Sequence, residues 1–251
     1  MKKYSCYNFR HRPRVYPSEV DIMRFWKLTP VVLAFVLGSC AESADDSFQI
    51  FIQEFDFSQG LEGWAAEFTE YPLGETPESD SIYKWSASIS QVPGSNRPAI
   101  LLSCENLNGD IFMFLKRKVT DLKPNTNYSI VFEITMATNS VAGQPLILKA
   151  GASELEPKKV IENGYYQLNI DKGEDFASGE NLYSFGDVGG VAPSSDAYIP
   201  VSRGNASVNQ PILATTNSKG ELWLIVGTDC MYTGFNSVYY SRISVVYSVN
   251  D

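Results

Sequence analysis

From Phe48 to Val249, apolar side chains return at every second position, and no long segment keeps a helical period. Alternation of this kind places successive side chains on opposite faces of an extended backbone, so it commits the chain to strands with one buried face. The expected strands are Phe48–Asp56, Trp64–Glu70, Ile82–Val92, Ala99–Cys104, Ile111–Val119, Tyr128–Ala137, Leu146–Ala150, Tyr165–Ile170, Pro211–Thr216, Glu221–Gly227 and Ser237–Val249. Turn chemistry separates them at Gln59-Gly60, Pro93-Gly94, Asn108-Gly109, Pro124-Asn125 and Lys219-Gly220. Many short strands so spaced predict an all-β fold, a sandwich or jelly roll, formed as one domain over residues 48–251. Lys172–Asn209, rich in Gly, Ser and Asp, keeps no period and reads as a long loop.

The first 39 residues do not share this pattern. Arg24 and Lys27 precede a nearly uncharged run, Leu28–Ser39, that closes on Leu37-Gly38-Ser39-Cys40. The run is shorter than the roughly 20 apolar residues a bilayer-spanning helix needs. Its close resembles the lipobox of bacterial lipoproteins, an aliphatic residue and two small residues before the cysteine that is lipidated. That resemblance implies a signal peptide over residues 1–39, a short helical leader with Met23 as an alternative start. It also implies an acyl chain on Cys40, a flexible tether over residues 40–47, and an outer-membrane lipoprotein facing the periplasm or the cell surface. The acidic Ala41–Asp46 stretch loosely resembles the surface-export signal of Bacteroidetes lipoproteins.

Seven of the 20 Lys and Arg and two of the 29 Asp and Glu precede Cys40, which leaves 13 basic against 27 acidic residues and a formal charge of −14. Such a surface repels phosphate backbones and excludes nucleic acid as a natural partner. Membrane attachment is then expected from the lipid anchor alone. Cys104 and Cys230 are the two cysteines left in the domain, and an even pair in an exported chain invites a disulfide; two independent buried thiols are the alternative. The single histidine, His11, falls in the leader. The domain thus lacks the usual general base, the commonest zinc ligand and every Ser-His or Cys-His pair.

Three segments carry a further resemblance. Phe55–Trp64 (FDFSQGLEGW), Leu122–Ile134 (LKPNTNYSIVFEI) and the closing pair Gly220–Asp229 and Val238–Tyr247 are similar to the opening turn, central strand and last strands of galactose-binding-like jelly rolls, the fold of many carbohydrate-binding modules. The chain also resembles a group of Bacteroidetes lipoproteins through Leu148–Ala152 (LKAGA), Glu156–Val160 (EPKKV) and Asn169–Gly173 (NIDKG), a likeness that bears on fold and leaves function open. Modules of the jelly-roll type often hold a structural calcium between the first and last strands. Glu54 and Asp56 are the weak calcium candidates here, and Tyr240-Ser241-Arg242 sets Ser and Arg where an acid would be expected, so calcium is not favoured and no other cofactor or metal is expected.

Candidate binding residues follow from the aromatics and the proposed bridge. Trp64, Trp85 and Trp223 sit in strand patterns and read as core, whereas Tyr183, Phe185, Tyr198, Tyr232 and Phe235 fall in loops. A Cys104–Cys230 bridge would bring Asn106 and Asn108 beside Asp229, Tyr232 and Phe235, which together offer amides, a carboxylate and rings to a sugar. Lys116-Arg117-Lys118 reads as a charged edge strand, Asp171–Asp175 as a polar loop, and Lys158-Lys159 as a solvated turn. The leading expectation is a non-catalytic, lipid-anchored carbohydrate-binding module. A structural or adhesion lipoprotein contacting another envelope protein is the alternative, and a histidine-free glycan hydrolase or lyase built on carboxylates comes third.

The lipobox reading is tested directly. Cys40→Ser should abolish metabolic labelling with an alkyne fatty acid and leave uncleaved precursor in the membrane fraction; persistent labelling of the variant would exclude Cys40 as the acylated residue.

Overall fold

The structure, a computed structural model, describes residues 50–74, 81–206 and 211–250. All of them belong to the compact unit Asp46–Asp251. The leader, Cys40 and the tether lie outside the described residues.

Fifteen strands are described: β1 (Ile50–Asp56), β2 (Ala65–Thr69), β3 (Tyr71–Pro72), β4 (Ser86–Gln91), β5 (Pro98–Asn106), β6 (Ile111–Val119), β7 (Asn127–Thr138), β8 (Leu146–Ser153), β9 (Lys159–Glu162), β10 (Tyr165–Leu168), β11 (Leu182–Asp187), β12 (Ile199–Gly204), β13 (Ile212–Thr215), β14 (Leu222–Cys230) and β15 (Gly234–Val249). They form a β-sandwich of the jelly-roll class. One sheet runs β12-β7-β15-β5-β4, with β1 beside the C-terminal half of β15 and β13 beside β7. The facing sheet runs β11-β8-β14-β6-β2, and a small sheet runs β3-β10-β9. Paired strands are antiparallel throughout.

Alternation explains the layers. Ile100 and Leu102 on β5, Ile130, Phe132 and Ile134 on β7, and Ile243, Val245 and Tyr247 on β15 point inward from the larger sheet. Met113 and Leu115 on β6, Leu148 and Ala150 on β8, and Leu224 and Val226 on β14 meet them from the smaller one. All are buried, and each such side chain removed from water contributes about 1.5–3 kcal/mol before the entropy of ordering it is counted. The alternate residues Phe112, Phe114 and Ile225 face the other way and are buried against Ile170 and Leu182. Strands β6 and β14 therefore have both faces covered, which is why they read as nearly continuous apolar runs rather than clean alternation.

Three expectations are corrected. The Lys172–Asn209 loop contains β11 and β12, short strands on the outer positions of the two sheets. Their Gly and Pro residues and half-buried positions mask the period-2 signal. Second, β6 is an interior strand between β14 and β2, which pairs it as far as Lys116, so the Lys116–Lys118 run does not mark an edge strand. Lys116 Nζ instead reaches Glu67 and Glu156, both at 2.9 Å, Arg117 lies over the Phe55 ring, and Lys118 pairs with Glu221 at 2.7 Å. Third, Lys159 is no solvated turn: it opens β9 and sets its ammonium 4.3 Å from the Tyr166 ring centroid.

The strand pairing of β11 with β8 requires Gly151. A Cβ built there would sit 1.9 Å from the Asn181 carbonyl oxygen, which is backbone and cannot swing aside. Gly151→Ala should displace β11 and cost about 1–3 kcal/mol, the usual scale for overpacking. A urea midpoint that does not fall would contradict this close approach.

Candidate functional site

The structure brings the Cys104–Gly109 and Asp229–Asn236 segments together, but most of the residues expected there to meet a sugar have structural work. Asn106 is fully buried at the end of β5. Its Nδ2 donates to the carbonyls of Cys230 (2.9 Å) and Tyr232 (2.8 Å), while its Oδ1 accepts from Gly109 N–H. It thereby clasps the chain where it crosses from β14 in one sheet to β15 in the other. Asn108 donates to the Glu70 and Asp110 carbonyls and fixes a turn. Tyr232 packs half-buried against the main core, and burial raises its phenol above the ordinary range.

Cys104 and Cys230 are both buried and unbridged, so the expected disulfide is not formed. Cys230 Sγ donates to Asn236 Oδ1 at 2.7 Å. Burial holds the Cys230 thiol up to about 11, and burial together with the nearby Cys230 raises Cys104 further. Both are neutral thiols at physiological pH and poor nucleophiles.

Asp229 is buried on the outer side of β14 and belongs to a charge cluster. Lys172 Nζ lies 2.7 Å from its Oδ2 and Lys149 Nζ lies 3.7 Å away. Lys149, itself fully buried, donates to three carbonyls of one loop: Lys172, Gly173 and Ala177. Burial and the neighbouring Lys172 lower the Lys149 ammonium below the usual lysine range. Burial opposes the charge on Lys172 too, but Asp229, Glu70 and Asp110 outweigh it and hold Lys172 above that range. Glu70 and Asp110 are raised above the carboxylate range by their own burial. Asp171 completes the loop by accepting from Gly173 and Glu180 N–H, bonds that hold its carboxyl below the ordinary value. The Asp171–Asp175 segment is thus a fastened lid whose Lys172 ammonium lies 5.8 Å from the Phe112 ring centroid, and Asp229 is one of its fasteners.

The calcium candidates are likewise engaged. Asp56 accepts Ser58 N–H and pairs with Arg97 at 2.8 Å, which together hold its carboxyl low, and Glu54 lies 4.0 Å from Arg242. Among the described residues no group of three or more His, Cys, Asp or Glu side chains could hold a metal ion.

Phe235, of the expected residues, opens onto a cleft. Strand register places it on the outer face of the larger sheet with Ser237 and Tyr239, beside Glu105, Ser103 and Leu101 of β5. Its ring is 55% exposed. It lines a cavity of about 500 Å³ with Pro93, Asn139, Ser195, Asp196 and Tyr198. A second cavity of about 350 Å³ shares Pro93 and Tyr198 and continues past Arg97, Thr135, Ala137 and Pro200. The two form one open groove with Tyr198 at its middle.

Tyr198 is held there rather than merely present. Its ring meets Tyr239 edge-on, with centroids 4.9 Å apart and planes at 89°. Its hydroxyl bonds to Ser237 Oγ, which in turn donates to Asn139 Oδ1, and Asn139 Nδ2 donates to the Ser195 carbonyl at 2.6 Å. Tyr198, Phe235, Asn139 and Asp196 therefore set two rings, an amide and an exposed carboxylate around one groove. Tyr198 was legible as an aromatic outside the strong core patterns; Asn139 and Asp196 carried no signal. Tyr183 and Phe185, also expected in a loop, lie in β11, where their rings meet edge-on and pack against the core. A larger cleft, of about 610 Å³, lies between β13 and the Asp171 loop, but no aromatic ring lines it, and Asp171, Asn169 and Asn181 spend their polar atoms on backbone groups.

No protein-family model matches the chain, and no curated protein matches it. Solved structures do. A carbohydrate-binding module described for specific mannan recognition aligns at 14% identity with a TM-score of 0.34, over 79% of this chain and 98% of that one. A family 11 carbohydrate-binding module from Clostridium thermocellum, solved with a mixed-linked β-1,3-1,4 tetrasaccharide, aligns at 14% identity and a TM-score of 0.33, over 77% and 94%. The enzymatically active domain of bacteriophage CBA120 tailspike protein 4 aligns at 10% identity and a TM-score of 0.33; the match covers 76% of this chain but only 20% of that protein. At this level of similarity no ligand is carried over to the present chain.

The buried cluster predicts a stability phenotype. Asp229→Ala leaves two ammonium groups without their shared carboxylate, and breaking a buried pair on one side costs about 3–5 kcal/mol. Denaturation should show that loss; an unchanged midpoint would mean that Asp229 does not fasten the lid.

Proposed function

We propose that the protein is a lipid-anchored, non-catalytic carbohydrate-binding module of the bacterial envelope, and that its sugar lies in the Tyr198–Phe235 groove. The carrying observation is the pre-set Tyr198 ring, fixed by the Ser237–Asn139 relay beside an exposed Phe235. A sugar presents an apolar C–H face and a rim of hydroxyls. Rings cover the first at low entropic cost, and the exposed Asp196 carboxylate suits the second. Because the relay orders Tyr198 before any ligand arrives, binding loses little to side-chain immobilisation. The groove is open along the sheet, a shape that admits an internal stretch of chain as readily as an end.

The lipobox at Leu37–Cys40 supports the anchor and an outer-membrane address. The likeness of Leu148–Ala152, Glu156–Val160 and Asn169–Gly173 to Bacteroidetes lipoproteins supports that lineage. Against a catalytic reading stand the missing histidine and the neutral buried thiols. The buried acids sit beneath a fastened loop rather than in the groove.

A glycan array probed with the full-length protein should yield a ligand. By titration calorimetry, Tyr198→Ala and Phe235→Ala should each weaken it by about 1–3 kcal/mol, the scale of a stacked anchor, or roughly five- to hundredfold. Asn108→Ala should leave affinity unchanged. Equal binding by wild type and both ring variants, or no glycan bound at all, would overturn the groove assignment.

A further inference from the structure

The outer face of the larger sheet changes character along its strands. Register aligns Ile50, Ser248, Ser129 and Leu213 in one row across β1, β15, β7 and β13. The next row holds Ile52, Val246 and Val131, and the one after it Glu54, Ser244 and Glu133. The first two rows carry no charged side chain, on a domain whose formal charge is −14. Ile50, Ile52 and Leu213 are each more than half exposed. Apolar residues scattered singly need no explanation, but three lying together on neighbouring rows with Val131 and Val246 form a patch.

We infer that this patch rests on the bilayer surface and orients the domain, an inference that depends on acylation at Cys40. Chain length selects this occupant. Only nine residues separate Cys40 from Ile50, and the ten Cα-to-Cα steps between them span at most about 35 Å. An acyl chain inserted in the membrane thus keeps β1 close to the headgroups, where local concentration makes a weak contact effective. The charge pattern agrees. An acidic protein approaches an anionic or zwitterionic leaflet most easily through a region without carboxylates, and Ser129 and Ser248 hydrogen-bond headgroups without bringing charge. Two weak signals, acyl chain and apolar surface, together fix an orientation that one would leave free. Phe235 stands eleven residues along β15 from Val246, so the groove is carried roughly 35 Å along the strand direction from the contact.

The test uses the full-length lipidated protein carrying Leu213→Cys, labelled with an environment-sensitive NBD fluorophore and reconstituted on phosphatidylethanolamine–phosphatidylcholine vesicles. Cys104 and Cys230 are buried and escape labelling. Intact mass first reads whether Cys40 bears lipid; its absence overturns the inference together with the anchor. With lipid present, NBD emission should shift to the blue and rise about threefold on vesicles, as for a probe entering the interface. The same label at the exposed Ile161 of β9 should not respond. A silent Leu213 probe on acylated protein overturns the membrane contact and leaves the anchor standing. A response that instead grows with protein concentration in a lipid-free form beginning at Ala41, with a dimer in sedimentation, also overturns it and assigns the patch to a second copy. Adding Ile52→Glu should abolish the blue shift without changing the acylated mass.

Discussion

The crossing between β14 and β15 is the constraint on which the sandwich depends. β14 is the central strand of the five-stranded sheet and β15 of the larger one, yet only Met231, Tyr232 and Thr233 separate them. The chain must leave one layer and enter the other within three residues, which strips two carbonyls of ladder partners at the rim. Asn106 supplies the missing donors to both and uses its remaining oxygen on Gly109. A neutral amide suits this place better than any charged group. It offers two donors and an acceptor in a plane and asks for no counterion in a buried position.

On the far side of the smaller sheet, the same economy is managed with charge. Lys149, Lys172 and Asp229 are brought in from three distant stretches of sequence, and each is neutralised or capped by another. Three short segments, Leu148–Ala152, Glu156–Val160 and Asn169–Gly173, converge here. Lys149 lies in the first, Asp171, Lys172 and Gly173 in the last, and Asn169 bonds the backbone of Glu156 and Lys158 in the middle one. Together those segments cover one face of the smaller sheet. The groove on the opposite layer is built from residues outside all three.

That division explains what the sequence made legible. Alternation gave the strands and the sandwich because each central strand buries a whole face, and a wrong register would expose all of it. It failed at β11 and β12, which lie at sheet margins and bury half a face each. Phe235 and Tyr198 stood out as aromatics without a core pattern, and both line the groove. Asp229 was misread as a rim carboxylate because its partner Lys172 lies 57 positions away, and nothing local distinguishes a paired buried acid from a solvated one. Cys104 and Cys230 suggested a bridge by parity alone, while the thiol of Cys230 had a side-chain amide oxygen as partner instead.

The position of β14 and β15 in the chain has a consequence for the order of assembly. Synthesis proceeds from the N-terminus, so the strands that flank both sheet centres emerge while those centres do not yet exist. β5, β6, β7 and β8 pair on one side with β4, β2, β12 and β11, and each gains its second neighbour only from β14 or β15. The two layers are therefore tied to one another through β14 and β15, whose three-residue crossing joins the centre of one sheet to the centre of the other.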